Sequence, residues 1–367
     1  MRRFKYVVIF VIALVMLVGS PFLINSSKAD GGANHQRANN NYGVSGGNVN
    51  DASRSFCCSG TLGSLVRDSS GTNYILSNNH VLARADQAAI GEDISQPGLI
   101  DNGCRIPPIV ADFTVAVTLG SNVDAAIAQL RTGAMNTAGT IEDIGIPSNV
   151  VKNASVGLAV AKSGRTTGST TGSVSSVNTS VSVQYQKGCN QGKKFTVSYT
   201  NQVVINSSTF SAGGDSGSLI VTNDACHQPV ALLFAGSSTT TIGNPIGEVL
   251  SKVSGALGSS VSFVGATCGT ASAAAVQTGA LSTLEGQMPE LPQEAIEHAT
   301  NVMQGRLDDL MSRPSVIGVG VGASDTNPGE AVIVIYVDRT TGASPQLPRS
   351  IDGVRVKRVE TDTFVAR

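Results

Sequence analysis

The feature that most constrains the fold is a succession of short apolar segments, separated by turn-forming residues, between about residues 44 and 264. The clearest segments are residues 61–66, 74–76, 124–128, 180–185, 195–199, 218–221 and 230–234. Short strands at regular spacing are typical of β-sandwiches and β-barrels. The 41 glycines of the chain suit the tight turns that such folds require. We therefore predict a mostly β domain over residues 44–265.

The composition excludes two broad classes of protein. Charged residues make up only 14% of the chain and the net charge is -1, whereas nucleic-acid binders carry a basic surface. Hydrophobic residues make up 41%, which is too many for a disordered chain. With 367 residues, the chain is long enough for two domains of about 150 residues each.

Residues 1–29 have the pattern of a signal peptide. Arg2, Arg3 and Lys5 form a positive start, residues 7–18 are apolar, and small residues precede a cut after Ala29. An uncleaved anchor helix is the alternative. Both interpretations take the rest of the chain out of the cytoplasm, so we expect a protein that is secreted or held in the periplasm or cell envelope.

The six cysteines, at positions 57, 58, 104, 189, 226 and 268, are an even number on a chain predicted to be exported. This combination predicts disulfide bonds but leaves their connectivity open. Cys57 and Cys58 are adjacent and would point to opposite faces of a strand, so we expect them to have different partners. A bond between Cys189 and Cys226 is one hypothesis, because they flank segments that could be neighbouring strands.

The chain changes character towards its C-terminal end. Residues 30–43 and 266–286 are polar or rich in small residues, and both are predicted to be linkers. After Pro292, which suits the first turn of a helix, apolar residues recur at helical spacing at 296, 299, 303, 307 and 310. Strand-like segments follow, so residues 287–367 are predicted to form a small α+β accessory module. The long linker favours independent motion, and we expect the module to be dispensable for chemistry.

Residues 318–322 of this module alternate glycine with valine. The pattern lacks the Lys-Ser/Thr ending of a phosphate-binding loop, so it indicates a strand that another backbone approaches closely.

Three polar residues in separate motifs, His80, Asp124 and Ser216, have the chemistry of a catalytic triad. A serine hydroxyl needs an imidazole to take its proton and a carboxylate to fix the tautomer of that imidazole. Their order along the chain and their wide spacing would let one barrel supply His80 and Asp124 and a second supply Ser216. Asp112 is the minor alternative to Asp124. We expect the other histidines, at positions 35, 227 and 298, on the surface.

These residues lie in motifs that resemble those of chymotrypsin-fold serine peptidases, and in particular bacterial secreted lytic endopeptidases and streptogrisins. The resembling segments are Gly214-Asp215-Ser216-Gly217, residues 163–168 and residues 44–47. The resemblance covers about residues 44–264 and implies two six-stranded antiparallel β-barrels. Val81 replaces a cysteine that often follows the histidine in relatives, so their disulfide at this point is missing or rearranged. Ser218 replaces a glycine of their nucleophile motif.

The resemblance implies a role for each site residue. Ser216 would be the nucleophile, His80 the general base and then acid, and Asp124 the residue that orients it. The N–H groups of Gly214 and Ser216 would form an oxyanion hole. Asp215 would be a structural acid that holds the turn.

The resemblance also implies a substrate pocket at Phe210, Ser211 and Ala212, where no carboxylate is available to pair with arginine or lysine. We therefore expect cleavage after small or medium apolar residues.

No metal or organic cofactor is implied. The expected partner is a protein or peptide substrate, with no nucleic acid and no membrane contact beyond the leading segment. We expect a monomer, with an oligomer left open.

Two hypotheses follow. The first is a secreted serine endopeptidase, and the alternative is a catalytically silent binding protein on the same fold, because fold alone does not decide function.

Residues 318–322 and 351–355 resemble a module found beside trypsin-like domains in plant narrow-leaf proteins and bacterial relatives.

Overall fold

The computed structural model describes residues 33–54, 56–268 and 291–366. The predicted signal peptide lies outside the described residues, as does most of the predicted linker at 266–286. Within the described ranges, no helix is both long enough and apolar enough to cross a membrane.

Strands dominate the described chain. The first seven are β1 (Val44–Asn48), β2 (Gly60–Leu62), β3 (Ser64–Asp68), β4 (Asn73–Ser77), β5 (Asp93–Ser95), β6 (Ile109–Ala116) and β7 (Ala126–Leu130). The next eight are β8 (Ala159–Gly164), β9 (Gly168–Ser173), β10 (Ser176–Gln186), β11 (Lys194–Asn206), β12 (Leu219–Thr222), β13 (Pro229–Gly236), β14 (Thr240–Pro245) and β15 (Val261–Phe263). The C-terminal strands are β16 (Val316–Ala323), β17 (Ala331–Asp338), β18 (Ser350–Ile351), β19 (Val354–Thr361) and β20 (Val365–Ala366).

Helices are short and few by comparison. They are α1 (Asn79–Leu82), α2 (Lys187–Asn190), α3 (Ile246–Leu257), α4 (Gln293–Gln304) and α5 (Leu307–Met311), with 3-10 turns at Ala33–Gln36, Leu99–Asn102 and Arg339–Thr341. Gly188 and Cys189 have positive φ angles inside α2, so this segment is a turn between β10 and β11 rather than a regular helix.

The strands form two sheets, and this confirms the predicted mostly β fold. The first sheet has eight strands in the order β15-β3-β4-β7-β6-β5-β1-β2. The second has twelve strands, eleven in the order β18-β19-β17-β16-β10-β11-β14-β13-β12-β8-β9, with β20 pairing β10 and β13. Without β15 the first sheet has seven strands, and without β16–β20 the second also has seven, so the counts do not match the six strands expected per barrel.

The C-terminal strands are therefore continuous with the second sheet. Strand β16 pairs antiparallel with β10, with Val181 opposite Gly318 and Ser176 opposite Gly322. A Cβ atom on Gly322 would lie 2.6 Å from the Ser175 carbonyl oxygen, which confirms the close backbone approach inferred for residues 318–322. The expectation of independent motion is wrong, because backbone hydrogen bonds join the module to the barrel. The domain boundaries themselves stay a prediction.

Strand β17 is buried along its whole length. Successive side chains of a strand point to opposite faces of the sheet, and here each face has its own cover. Ile333 and Ile335 share a hydrophobic cluster with Ile296 of α4, whereas Val334 and Tyr336 share another cluster with Phe364. Phe364, which directly precedes β20, is thus buried in the cluster that contains Val334 and Tyr336.

Three disulfide bonds link the six cysteines: Cys57–Cys104, Cys58–Cys189 and Cys226–Cys268. The expectation of different partners for Cys57 and Cys58 is confirmed. The Cys189–Cys226 hypothesis is wrong, because the β10–β11 turn carries Cys189 to the other sheet, where it meets Cys58. Three disulfides fit a chain that folds in an oxidising compartment.

Candidate active site

His80 and Asp124 meet because two neighbouring strands of the first sheet end side by side. Strands β4 and β7 are antiparallel, with Ser77 opposite Ala126. His80 follows β4 in the single turn of α1, and Asp124 comes shortly before β7. The imidazole Nδ1 lies 2.6 Å from Asp124 Oδ2, and the backbone N–H of His80 donates to Asp124 Oδ1 at 3.2 Å. The carboxylate is fully buried, whereas the His80 side chain is 15% exposed.

Asp124 is also held by groups outside this pair. Its N–H donates to Asn244 Oδ1 at 2.9 Å, and its carbonyl accepts from Asn78 Nδ2 at 2.7 Å. Its Oδ2 accepts from the Tyr185 hydroxyl at 2.8 Å, and Tyr185 and Tyr199 share a hydrogen bond of 2.6 Å. Burial and the nearby Asp124 carboxylate raise the pKa of Tyr185 well above its ordinary value. Burial likewise raises the pKa of Tyr199, so both phenols keep their protons.

Tyr185 closes the apolar segment at residues 180–185, and no role was predicted for it. The available signal was weak: a tyrosine that closes an alternating segment and carries one polar atom into a core. A tyrosine buried in this way usually finds a hydrogen-bond partner for its hydroxyl, but the sequence does not identify that partner.

The turn that carries Ser216 is organised around Asp215. The buried carboxylate of Asp215 accepts hydrogen bonds from the Thr166 N–H at 2.8 Å and the Ala212 N–H at 2.9 Å. The Thr167 hydroxyl donates to it at 2.7 Å, and the buried Lys162 ammonium lies 3.5 Å away. These contacts fit the structural role expected for Asp215, and they explain why the resembling segment 163–168 lies beside the nucleophile motif.

Ser216 is fully buried and in contact with both sheets. Its carbonyl accepts from the N–H of Thr61, on β2, at 2.8 Å. Its hydroxyl donates to the Phe234 carbonyl at 3.2 Å. A Cβ atom on Gly60 would lie close to both Ser216 O and Val81, the residue after His80. The Ser216 turn is therefore packed against the segment that bears the imidazole.

Two backbone donors beside Ser216 have the features of an anion-binding site. Among the described residues, neither the Gly214 N–H nor the Ser216 N–H donates to a protein acceptor. Gly214 has a φ of +99°, and a Cβ atom there would lie 2.5 Å from the Thr166 hydroxyl oxygen. Only glycine meets both conditions without strain.

A cleft of about 900 Å³ opens between the sheets at this point. Its lining includes His80 and Gly214, and the Cys58–Cys189 disulfide at its rim. Ser211 and Ala212, which were predicted to lie in the substrate pocket, also line it, together with Ser237 and Ser238. Phe210 differs from the expectation. Phe210 is fully buried in the hydrophobic cluster that also holds Ile333 and Ile335. Its carbonyl accepts from the Thr170 hydroxyl at 2.7 Å.

The C-terminal end of the described chain enters the same cleft. Asp362, Thr363, Val365 and Ala366 are among its lining residues. In strand β20, Ala366 pairs with Ala235 and Val365 with Gly236 of β13, while Val365 also lies opposite Gln184 of β10. The cleft is thus bounded partly by the module that the sequence analysis separated from it.

Two other expectations are corrected. Asp112 lies on β6, where its 40% exposed side chain pairs with Arg131 at 2.6 Å, so it is not the partner of His80. His35 was expected on the surface but is only 1% exposed. This burial lowers the pKa of its imidazole. His298 is exposed and His227 is half-buried.

Asp51 is a further acid in the cleft lining. Burial raises its pKa to about 6, although the nearby His80 and Arg84 act in the opposite direction. Within the described part of the chain, no three His, Cys, Asp or Glu side chains come together as a metal site would require.

The chain is similar to solved structures of chymotrypsin-fold serine proteases. A glutamic acid specific serine protease shares 23% identity over 60% of this chain and 98% of its own, with a TM-score of 0.42. Thermobifida fusca Protease A shares 19% identity over 57% of this chain and 92% of its own, with a TM-score of 0.38. Nocardiopsis protease shares 15% identity over 56% and 92%, with a TM-score of 0.36. No protein-family profile and no curated protein matches the chain.

Proposed function

We propose that the protein is a serine endopeptidase exported from the cytoplasm, with His80, Asp124 and Ser216 as its catalytic triad. The observation that carries the proposal is the contact between His80 and the buried Asp124 beside the Ser216 turn. The unused N–H groups of Gly214 and Ser216 supply what a negatively charged intermediate would need next to the nucleophile.

Each residue has a defined step in this reaction. His80 takes the proton of Ser216 as the hydroxyl oxygen attacks the peptide carbonyl carbon, and Asp124 stabilises the imidazolium. The N–H groups of Gly214 and Ser216 donate to the resulting oxyanion. The C–N bond then breaks, and His80 passes the proton to the leaving amine. Water, deprotonated by His80, hydrolyses the acyl-enzyme ester and Ser216 regains its proton.

The cleft supports a preference for small or medium side chains before the cut. Ser211, Ala212, Ser237 and Ser238 line it with small uncharged groups, and the Asp362 carboxylate of the same lining is already paired with Arg339. Efficient and selective cleavage after arginine in a peptide library would contradict this preference. Export is supported by the three disulfides, which form in oxidising compartments.

A fluorophosphonate probe tests the proposed function directly. The probe should label Ser216 in the folded protein, and His80→Ala and Ser216→Ala should abolish labelling. The alternative, a silent binding protein, predicts a folded chain that is not labelled. Because β20 lies in the cleft, both the full chain and a chain that ends at Phe364 should be tested. If neither is labelled, the endopeptidase proposal is wrong.

A further inference from the structure

The C-terminal segment is fixed at the cleft by three anchors. Thr361 and Ser237 share a buried hydrogen bond, and Asp362 pairs with Arg339 at 2.7 Å. Phe364 is fully buried, with its ring centroid 5.8 Å from that of Tyr336. Its carbonyl accepts from the Gln184 N–H at 2.9 Å. The next two residues, which form β20, line the cleft.

Strand β20 lies directly beside the nucleophile. Its residue Ala366 pairs with Ala235, which follows the Phe234 whose carbonyl accepts from the Ser216 hydroxyl. A peptide that Ser216 could attack must run past this carbonyl in an extended form. Extended peptides bind by adding a strand to an available sheet edge, and residues 235–236 are that edge here. The edge cannot pair with β20 and a substrate at once.

We propose that β20 is a built-in competitor for the peptide-binding edge, and that substrate enters only when β20 leaves it. The proposal rests on the proposed function and names its substrate form, an extended peptide with small side chains, as Val365 and Ala366 have. Only two residues pair in β20, and their backbone bonds can be exchanged for those of a substrate while Phe364 stays buried. The block is therefore reversible.

A chain that ends at Phe364 tests the proposal, since it keeps every anchor and removes β20. Its kcat/KM for a short peptide should exceed that of the full chain by about tenfold or more, because the competent fraction scales the apparent affinity. Hydrogen exchange supplies a readout that does not need activity. The amide of residues 235–236 that faces β20 should be protected in the full chain and exchange faster in the shortened one, whereas the Ser237 amide, which donates to the Thr240 carbonyl at 2.8 Å, should not change.

Each outcome has a defined meaning. Equal or lower kcat/KM in the shortened chain, or unchanged amide protection, would overturn the role of β20. Faster exchange without hydrolysis or labelling in either chain would instead overturn the proposed function. Asp325→Asn, which alters an exposed ion pair with Lys357 elsewhere in the module, is the control and should leave both measurements unchanged.

A second observation independently concerns Asp124. Tyr185 has one hydroxyl proton, and it is donated to the carboxylate at 2.8 Å. The hydrogen bond between the two phenols is therefore donated by Tyr199 to the Tyr185 oxygen, which forms a chain from Tyr199 through Tyr185 to Asp124. The Tyr185 ring also packs edge-on against the His80 ring, with centroids 6.0 Å apart.

We infer that Tyr185 is a positioning residue that acts through Asp124. Oδ2 receives hydrogen bonds from both Tyr185 and His80, so the phenol shares the negative charge and fixes the plane of the carboxylate. Without the phenol, the carboxylate charge would be concentrated on the contact with His80. The imidazolium would then be held more strongly, and His80 would release its proton at higher pH.

Tyr185→Phe keeps the ring and removes only the hydroxyl. We expect kcat to fall about tenfold with KM unchanged, since the Asp124 carboxylate that orients His80 is no longer fixed in its plane. In NMR spectra of histidine-labelled protein, the His80 titration should move up by roughly 0.5–1 pH unit. Tyr199→Phe should act in the same direction but more weakly.

Tyr42→Phe is the matched control, because the Tyr42 hydroxyl is also buried but donates to the Asn136 carbonyl outside the cleft. It should lower stability without moving the His80 titration. If Tyr185→Phe behaves like Tyr42→Phe, Tyr185 is only a structural residue. The NMR measurement decides this even if no hydrolysis is observed, so failure of the proposed function is recognised separately.

Discussion

Both sheets border one cleft, but the C-terminal module extends only the second of them. The first sheet supplies His80 and Asp124 and consists of residues before 131 with the short strand β15 added. The second supplies Ser216 and continues from β10 into four strands of the C-terminal module. An uncovered β10 would present an edge that invites other chains to pair. The module covers that edge, and the same connection returns the chain to the cleft as β20.

The largest expected effect lies in the second sheet, at the ion pair beneath the Ser216 turn. Lys162 and Asp215 are both fully buried, 3.5 Å apart. Removing one member of such a pair leaves a buried charge uncompensated, so Asp215→Ala should cost about 3–5 kcal/mol of stability. Urea denaturation measures this cost, and fluorophosphonate labelling of the remaining folded protein should be lost with it.

Replacing both members of the pair sharpens the same test. Lys162→Met combined with Asp215→Leu should destabilise the protein by less than the two single changes together, since no unpaired charge remains. Additive effects would show that the pair is not coupled. The second sheet would then hold its turn through the threonine and backbone donors alone.

Several strands of the first sheet, and the segments that carry the proposed site residues, were accessible from the sequence. His80, Asp124 and Ser216 lie at the ends of strands, where short local motifs fix both residue type and backbone form. The partnership of Tyr185 with Asp124 was not accessible, because it depends on how β10 crosses the cleft. Phe210 was misplaced for a related reason: its position before the nucleophile is local information, whereas its burial depends on packing.

The relation of the module to the barrel was also out of reach. The glycines of residues 318–322 correctly indicated a close backbone approach, but nothing local identifies β10 as the backbone that approaches. The length of the linker suggested freedom of motion, and pairing of β16 with β10 removes it. Disulfide connectivity has the same character, since Cys58 and Cys189 are 131 residues apart.

The next effect in size concerns the covalent link between the two halves. Cys58–Cys189 closes a loop of 131 residues, whereas Cys57–Cys104 closes one of 47. Replacing either pair with serine should cost about 2–4 kcal/mol, and loop entropy makes the longer link worth about 1 kcal/mol more. Thermal or urea unfolding under non-reducing conditions measures both.

The two serine variants also differ in where they act. Cys58–Cys189 joins a first-sheet segment to the β10–β11 turn at the rim of the cleft, so its loss should raise KM for peptides. Cys57–Cys104 does not join the two sheets and should leave KM nearly unchanged. Equal effects of the two variants on KM would mean that noncovalent packing between the two sheets is enough to hold them in position.

The smallest effect is a pH dependence on the first-sheet side of the cleft. Burial raises the pKa of Asp51 from 3.8 to about 6, so folding favours the protonated form. The stability that this group contributes is present at pH values below its unfolded pKa and is lost as pH rises through about 6. Asp51→Asn mimics the protonated form, and it should raise the melting temperature at pH 8 by roughly 2–5 °C while changing little at pH 4. Asp112→Asn, at an exposed carboxylate paired with Arg131, is the matched control and should not stabilise the protein at pH 8. If Asp51→Asn leaves the melting temperature unchanged at both pH values, Asp51 is solvated like a surface acid. The cleft would then be more open to solvent near His80 than near Ser216.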